Sequence, residues 1–296
     1  MPELPEVETI ARRLREVVVG KTITKVAVLR EKSFLGSPTS LEGATITGIS
    51  RRSKIIQFEF DRPEKMLVHL KMTGQLIYQD QNIRLGGGHP TADWVNELPS
   101  KYTRVILDLA GTTSSKNVQP TVTTASTAKL FFNDLRVFGW LKVMTDAEVE
   151  REFSLLGPDI IDPAVSAAYL FEKLHTRGIP IKQALMDNSV VAGVGNIYAN
   201  DALHLAGIDP FRPAKSLSFA EVAKVYQATL HVVRTGIELG GATMHDYRHV
   251  DGFAGQYQTV VRTYGREGEP CLICGTPLLR KKQAGRSTFY CTICQK

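Results

Sequence analysis

Apolar residues at Val7, Ile10, Ala11, Leu14, Val17 and Val18 recur at helical spacing, while Arg12, Arg13, Arg15 and Glu16 occupy the other face. This pattern predicts an amphipathic helix, with Pro5 suited to its first turn and Gly20 to its end. The period then changes to two. Short runs at 22–30, 44–50, 54–60, 66–72, 75–78, 102–109, 128–133 and 138–144 are rich in β-branched or aromatic residues and punctuated by Gly, Pro or Asp. About eight such strands predict a β-sandwich or barrel.

Two stretches break the alternation. Residues 80–100 contain Gly86-Gly87-Gly88, and 111–127 are almost entirely Thr, Ser, Ala and a few polar residues; both read as surface loops, the second as a long hairpin tip. Near Leu156-Gly157-Pro158-Asp159 the punctuation thickens, and helical spacing takes over from about Pro163, which places a domain boundary there. Helices are expected over 164–175, 181–188, 197–206 and 217–239, the last opening with the capping-box pair Ser218 and Glu221. Residues 240–264 hold Gly240-Gly241, Asp251-Gly252 and Gly255 with little apolar periodicity, so they read as loop. No internal repeat is visible.

Composition narrows the class. The 296 residues, 43% hydrophobic and 22% charged, suit a globular protein of one or two domains. No stretch approaches the roughly 18 apolar residues of a membrane span, and PELPEVE has neither the basic start nor the apolar core of a secretion signal, so a spanning or exported protein is not expected. The net charge of +6 is unevenly placed: residues 262–296 carry seven basic side chains against two acidic ones, and the other 261 residues carry 29 against 28. A basic tail suggests a polyanionic partner.

All four cysteines lie in that tail. Cys271 and Cys274, then Cys291 and Cys294 after sixteen residues, have the spacing by which four thiolates converge on one zinc ion; a disulfide framework is the competing reading. Four thiolate ligands close the site, so the zinc is structural, and they leave it with a charge of −2. Between the knuckles, Arg280, Lys281, Lys282 and Arg286 stand beside Phe289 and Tyr290, which suits either a phosphate-contacting hairpin or a solvated terminal staple.

Met1-Pro2 is a context in which the initiator methionine is ordinarily removed, leaving a secondary amine at Pro2. An α-amine titrates at about 8, far below lysine, so part of it is neutral and nucleophilic at physiological pH. Attack on an aldehydic carbon gives an iminium, an electron sink that keeps its charge without a proton. Glu3 and Glu6 flank this amine. They read either as carboxylates favoured at a helix start or as groups that move protons beside it.

PELPEVET at 2–9, LMDN followed by GVGNIYA within 185–199, and GREGEPCLICGTP with FYCTICQK in the tail resemble the bacterial formamidopyrimidine-DNA glycosylases along essentially the whole chain, except the loops at 80–100 and 111–127. The resemblance implies an α+β multidomain fold: an N-terminal β-sandwich with its helix (1–155), a helix-two-turn-helix domain with a lesion-capping loop (156–260) and a C-terminal zinc-finger β-hairpin (261–296). It also implies a bifunctional repair enzyme that excises oxidised purines such as 8-oxoguanine and formamidopyrimidines, then cuts the strand by β,δ-elimination. One structural zinc and no organic cofactor are implied, with double-stranded DNA bearing oxidised purines or abasic sites as partner. A monomer in the bacterial cytoplasm is expected.

Carried onto this sequence, Pro2 matches the nucleophile, Glu3 the proton-shuttling residue, Lys54 the lysine of β-elimination and Arg286 the arginine of δ-elimination. The implied DNA contacts are His69, Arg177, Lys182 and Asn196, with Glu6 grouped beside them, and a wedge of Met72, Arg136 and Phe138 that fills the hole left by a flipped base. The family's DPRRFG stands here as Asp134-Leu135-Arg136-Val137-Phe138-Gly139, which keeps the arginine and phenylalanine of the wedge. Tyr102 stands where a DNA-contacting histidine is usual, and Phe253, within the lesion-loop stretch 248–258, where a lysine is common. The sister branch acting on oxidised pyrimidines shares Pro2, Glu3 and the finger, but PELPEVE favours the purine branch. A non-catalytic DNA-binding module is disfavoured by Pro2, Glu3 and Lys54 together, and a zinc-stapled structural protein leaves the tail charge and the wedge without a purpose.

Overall fold

The computed structural model describes residues 1–88, 97–111, 127–242 and 255–296. Most of the expected loop at 111–127, the middle of the lesion loop with Arg248 and Phe253, and residues 89–96 lie outside the described residues. The chain divides into two compact units, 1–153 with 240–255, and 154–239 with 256–296.

The first unit is a sandwich of two five-stranded sheets. One sheet orders β1 (Thr22–Val28), β8 (Thr103–Ala110), β9 (Thr127–Asp134), β6 (Gly74–Gln79) and β7 (Arg84–Gly88). The other orders β2 (Phe34–Leu35), β10 (Trp140–Met144), β5 (Lys65–His69), β4 (Ile55–Phe60) and β3 (Ile46–Arg52), antiparallel except for β10 with β2. Alternation explains the layering. Val105, Leu107 and Leu109 on β8 point into one core with Phe132 on β9 and Phe58 on β4, while the intervening residues of β8 are only half-buried. Helix α1 (Leu4–Val18) adds Val7, Ile10, Ala11, Leu14 and Val18 to that core, the stripe its spacing predicts.

One expectation is corrected. Gly86-Gly87-Gly88 is not loop but the end of β7, paired in register with β6 at Ile77, Leu76 and Gln75. A Cβ on Gly87 would sit 2.2 Å from Ile10 Cγ1, and one on Gly88 2.3 Å from the Gly74 carbonyl oxygen. Gly87 leaves room for the Ile10 side chain of α1 and Gly88 for the backbone of β6, a packing demand that looks like loop composition. Helix α2 (Asp146–Ser154) is not legible in the sequence either: it buries only Val149, too little for a stripe.

The second unit contains α3 (Ala167–Leu174), α4 (Ile181–Leu185), α5 (Asn196–Ala206), α6 (Phe219–Glu238) and the hairpin of β11 (Leu279–Gln283) and β12 (Arg286–Tyr290). Ser218 accepts from the Glu221 N–H and Glu221 from the Ser218 N–H, the capping box its sequence announces. α5 ends at Gly207, whose positive φ of 71° makes the left-handed cap. Among the described residues, no helix is long and apolar enough to cross a membrane.

Candidate functional site

Pro2 is buried at the entry to α1, and Glu3 is the helix N-cap. Glu6 accepts the Glu3 backbone N–H at 2.7 Å with one carboxylate oxygen and that of Ala242 at 2.7 Å with the other. Gly241, at φ 88°, leaves no room for a side chain: a Cβ would meet the Glu6 carboxylate at 2.8 Å. Glu6, grouped with the DNA contacts on sequence, is therefore a buried anchor joining the amino terminus to Gly241 and Ala242. A second tie runs along the helix. Glu8 bonds Arg51 at 2.7 Å, and Arg51 also donates to the Ser53 carbonyl at 2.9 Å. Burial would raise the Glu8 pKa, but Arg51 and Arg12 outweigh it and hold the carboxylate below its usual range. The pair fixes the Ser53-Lys54 turn against α1, with Lys54 5% exposed.

Met1 borders a cleft of about 450 Å³ that is also lined by Lys71, Met72, Phe138, Trp140 and Lys142. Met72 and Phe138 are 42% and 48% exposed, which a core residue would not be, and the Arg136 guanidinium lies 4.7 Å over the Phe138 ring. The turn that presents them is organised by Asp134, a buried carboxylate that the sequence pattern does not single out. It accepts from the Thr73 hydroxyl, from Arg136 N at 3.2 Å, Phe138 N at 2.8 Å and Gly139 N at 2.7 Å. Its own N–H donates to the Tyr102 carbonyl at 2.9 Å, so Tyr102 enters through its backbone. Asp134→Ala strands these donors and is expected to destabilise the protein by about 3 kcal/mol and to weaken duplex binding. Urea unfolding with fluorescence anisotropy checks this; native stability in the variant would show that the turn needs no carboxylate.

His69 ends β5 in the sheet, paired with Ile55 and Trp140. Desolvation, with the charges of Lys71, Lys54 and Lys142, pushes its pKa down to about 3. The Lys71 N–H donates to His69 Nδ1 at 3.0 Å, so the neutral ring carries its proton on Nε2 and offers it as a donor.

In the second unit the centre is one carbonyl. Ser287 O accepts Lys182 Nζ at 2.9 Å and Asn196 Nδ2 at 3.1 Å, next to Arg286 at the exposed start of β12. Asn196 opens α5 after the GVGN turn, where Gly193 has φ 92°. Lys182 is 2% exposed and also bonds Thr288 Oγ1 at 2.8 Å. Buried and bonded in this way, it holds the hairpin to α4. Arg177 is ion-paired with Asp187 and remains partly exposed. A cleft of about 300 Å³ is lined by Lys182, Gln183, Met186 and Arg286.

Non-glycine residues with left-handed backbone are, among the described residues, Ser53, Lys71, Val137 and Ala284. Each is within two residues of an expected site residue: Lys54, Met72, Arg136 with Phe138, and Arg286. Such strain costs about 1–3 kcal/mol per residue and gathers where a side chain must be aimed.

The four cysteine sulfurs lie within 4.8 Å of one another, the closest pairs at 3.5 and 3.8 Å. These separations are too long for a disulfide, and four bonds of about 2.3 Å to a central zinc require sulfur separations near 3.8 Å. The residues present therefore fit the metal, held by Cys271, Cys274, Cys291 and Cys294.

Comparison with known proteins agrees in every segment. Residues 1–141 match the formamidopyrimidine-DNA glycosylase N-terminal domain, 156–248 the H2TH domain of the same enzymes, and 268–296 a zinc finger found in FPG and IleRS. A formamidopyrimidine-DNA glycosylase of Desulfitobacterium hafniense is 35% identical over the full length of both chains. One from Thermus thermophilus is 38% identical, covering 100% of this chain and 98% of its own. The crystal structure of the Thermus thermophilus MutM (Fpg) protein superposes with a TM-score of 0.81 at 35% identity, covering 99% and 98% of the two chains. Lactococcus lactis Fpg bound to DNA containing an abasic site superposes with a TM-score of 0.83 at 27% identity over both whole chains.

Proposed function

The chain belongs to the formamidopyrimidine-DNA glycosylase family, and from that premise we propose that it excises oxidised purines from duplex DNA and cuts the strand at the resulting abasic site. The observation that carries this reading is the position of Met1 on the cleft bordered by Met72 and Phe138. Removal of Met1 puts the Pro2 secondary amine at the mouth of that cleft.

The amine lone pair attacks the deoxyribose C1′, and the electrons of the glycosidic bond leave with the base, which takes a proton. Glu3 delivers a proton to the ring oxygen as the C1′–O4′ bond breaks, giving the iminium. Loss of a C2′ proton then expels the 3′ phosphate, and loss of a C4′ proton expels the 5′ phosphate. Water hydrolyses the iminium and restores the amine. Lys54 serves the β-elimination and Arg286 the δ-elimination, each beside a phosphate. Met72, Arg136 and Phe138 fill the vacated stack, which offsets an unstacking cost of a few kcal/mol. His69 donates from Nε2 to the backbone, and Tyr102, Arg177 and Asn196 line the remaining contacts. Glu6 and Lys182 act by holding the groups that touch DNA.

When bound, the zinc supplies a structural cross-link. The working segments are the sandwich (1–155), the helical region with its loop (156–260) and the finger (261–296), acting as a monomer in the cytoplasm. Release of 8-oxoguanine from a duplex opposite cytosine, measured against an undamaged duplex, tests the activity; no release above that background would end the proposal. Arg286→Ala is expected to weaken binding and to reduce the slope of log affinity against log salt by about 0.9, one phosphate's worth of counterion release. An unchanged slope would remove that contact.

A further inference from the structure

We propose that His204 and Arg262 form an outer layer of the zinc site, in which His204 donates a hydrogen bond to the Cys271 thiolate and sets how firmly the metal is retained. The inference rests on the zinc assignment above and concerns residues outside the cysteine motif. His204 is fully buried on α5, with Nε2 3.2 Å from Cys271 Sγ. On the other side of the ring, the Arg262 Nε–H points at Nδ1 from 3.2 Å.

These two contacts fix the proton. A guanidinium has only donors, so Nδ1 must present its lone pair, and the ring proton is then on Nε2, facing sulfur. The sulfur is the acceptor. A thiol sulfur is only a weak acceptor, so an Nε2–H···S contact is strongest when Cys271 is a thiolate. The ring orientation is therefore the one that suits a metal-bound thiolate.

Arg262 is held to this task by the same helix. Asp201, three residues before His204 and buried, accepts the backbone N–H groups of Arg262 and Thr263 at 2.9 Å each, with the Thr263 hydroxyl at 3.1 Å and the Tyr257 hydroxyl at 3.0 Å. One helical turn thus places the arginine, and the arginine places the histidine. The sequence Arg262 cation, polarised imidazole, thiolate draws charge from a site whose ligands exceed the metal charge by two. An N–H···S bond lowers the basicity of the sulfur, which slows the protonation or oxidation through which a thiolate leaves zinc. The consequence reaches function, because α5 begins at the Asn196 turn and its far end is tied to the metal through Cys271.

The test uses the full-length protein. Metal analysis of the purified chain first checks the zinc assignment; a chain with no tightly bound zinc ends that reading, and this one with it. In protein reconstituted with NMR-active cadmium, proton–nitrogen correlation spectra are expected to show His204 protonated at Nε2, with scalar coupling from cadmium to that proton across sulfur. A Nδ1–H ring, in a protein that does hold metal, overturns the proposal while leaving the zinc site intact. His204→Leu, similar in bulk without a donor, is expected to release zinc to a chelator about 10–100 times faster than the parent. His204→Gln, which keeps an N–H, restores most of the retention. If the histidine merely filled space, the leucine variant would hold zinc at least as well as the glutamine variant, and that order of rates overturns the proposal. Should the leucine variant fail to fold, the ring-proton assignment in the parent decides the matter alone.

Discussion

A chain that keeps Met1, or carries any residue ahead of Pro2, is expected to lose base excision by at least about 10³-fold, the scale on which removal of a covalent nucleophile acts. The reason is local. An amide nitrogen has no lone pair to give, and no neighbouring group supplies a secondary amine. Binding should survive, because the blocking residue occupies the position of Met1, exposed at the edge of the cleft, while the wedge and the hairpin are unchanged. The comparison is made by intact-mass selection of blocked and processed protein, single-turnover excision on an 8-oxoguanine duplex, and anisotropy on a duplex carrying a non-cleavable abasic analogue. Full excision by verified blocked protein would remove Pro2 from the chemistry.

Stripping the zinc should have the second largest effect. Structural zinc contributes about 10–16 kcal/mol in small thiolate sites, more than a two-stranded hairpin of five-residue strands can replace. Unfolding the hairpin removes Arg286 and also strips partners from buried groups that face it: Lys182 from Ser287 and Thr288, Asn200 from the Phe289 N–H, Gln295 from the Cys291 N–H. Lesion-duplex affinity is expected to fall by roughly two orders of magnitude, through lost phosphate contacts. The β-sandwich, which holds none of the ligands, should keep its secondary structure. Circular dichroism and binding titrations before and after metal removal, with zinc added back as control, measure both. Undiminished affinity in verified metal-free protein would show that the finger does not contribute to the interface.

What is legible in the sequence is what period and spacing can carry. The α1 stripe, eight of the strands to within a few residues, the α6 capping box and the zinc knuckles are local patterns, and each appears where the residues put it. What is not legible depends on residues far apart in the chain. The β7 glycines look like loop until Ile10 of α1 is laid against Gly87 and the Gly74 backbone of β6 against Gly88. Asp134 is visible as the start of the DPRRFG-like stretch, but its role in the turn is not, because its partner Thr73 is 61 positions away. Lys182 reads as a helix-surface cation because nothing local announces Ser287 and Thr288, more than a hundred residues on. His204 is not singled out in the sequence for the same reason, its partners Cys271 and Arg262 lying 67 and 58 positions on. A buried polar group is specified by its partner, and a one-dimensional pattern holds only one of the two.

The most direct measurement is borohydride trapping on a duplex containing 8-oxoguanine opposite cytosine, followed by peptide mapping of the covalent adduct. Reduction freezes whichever amine has formed an imine with the sugar. A cross-link on Pro2 is the expected result, joining lesion recognition, nucleophile and intermediate in one species. A cross-link on a lysine, or tight binding with no adduct on this duplex or on an abasic control, would contradict it.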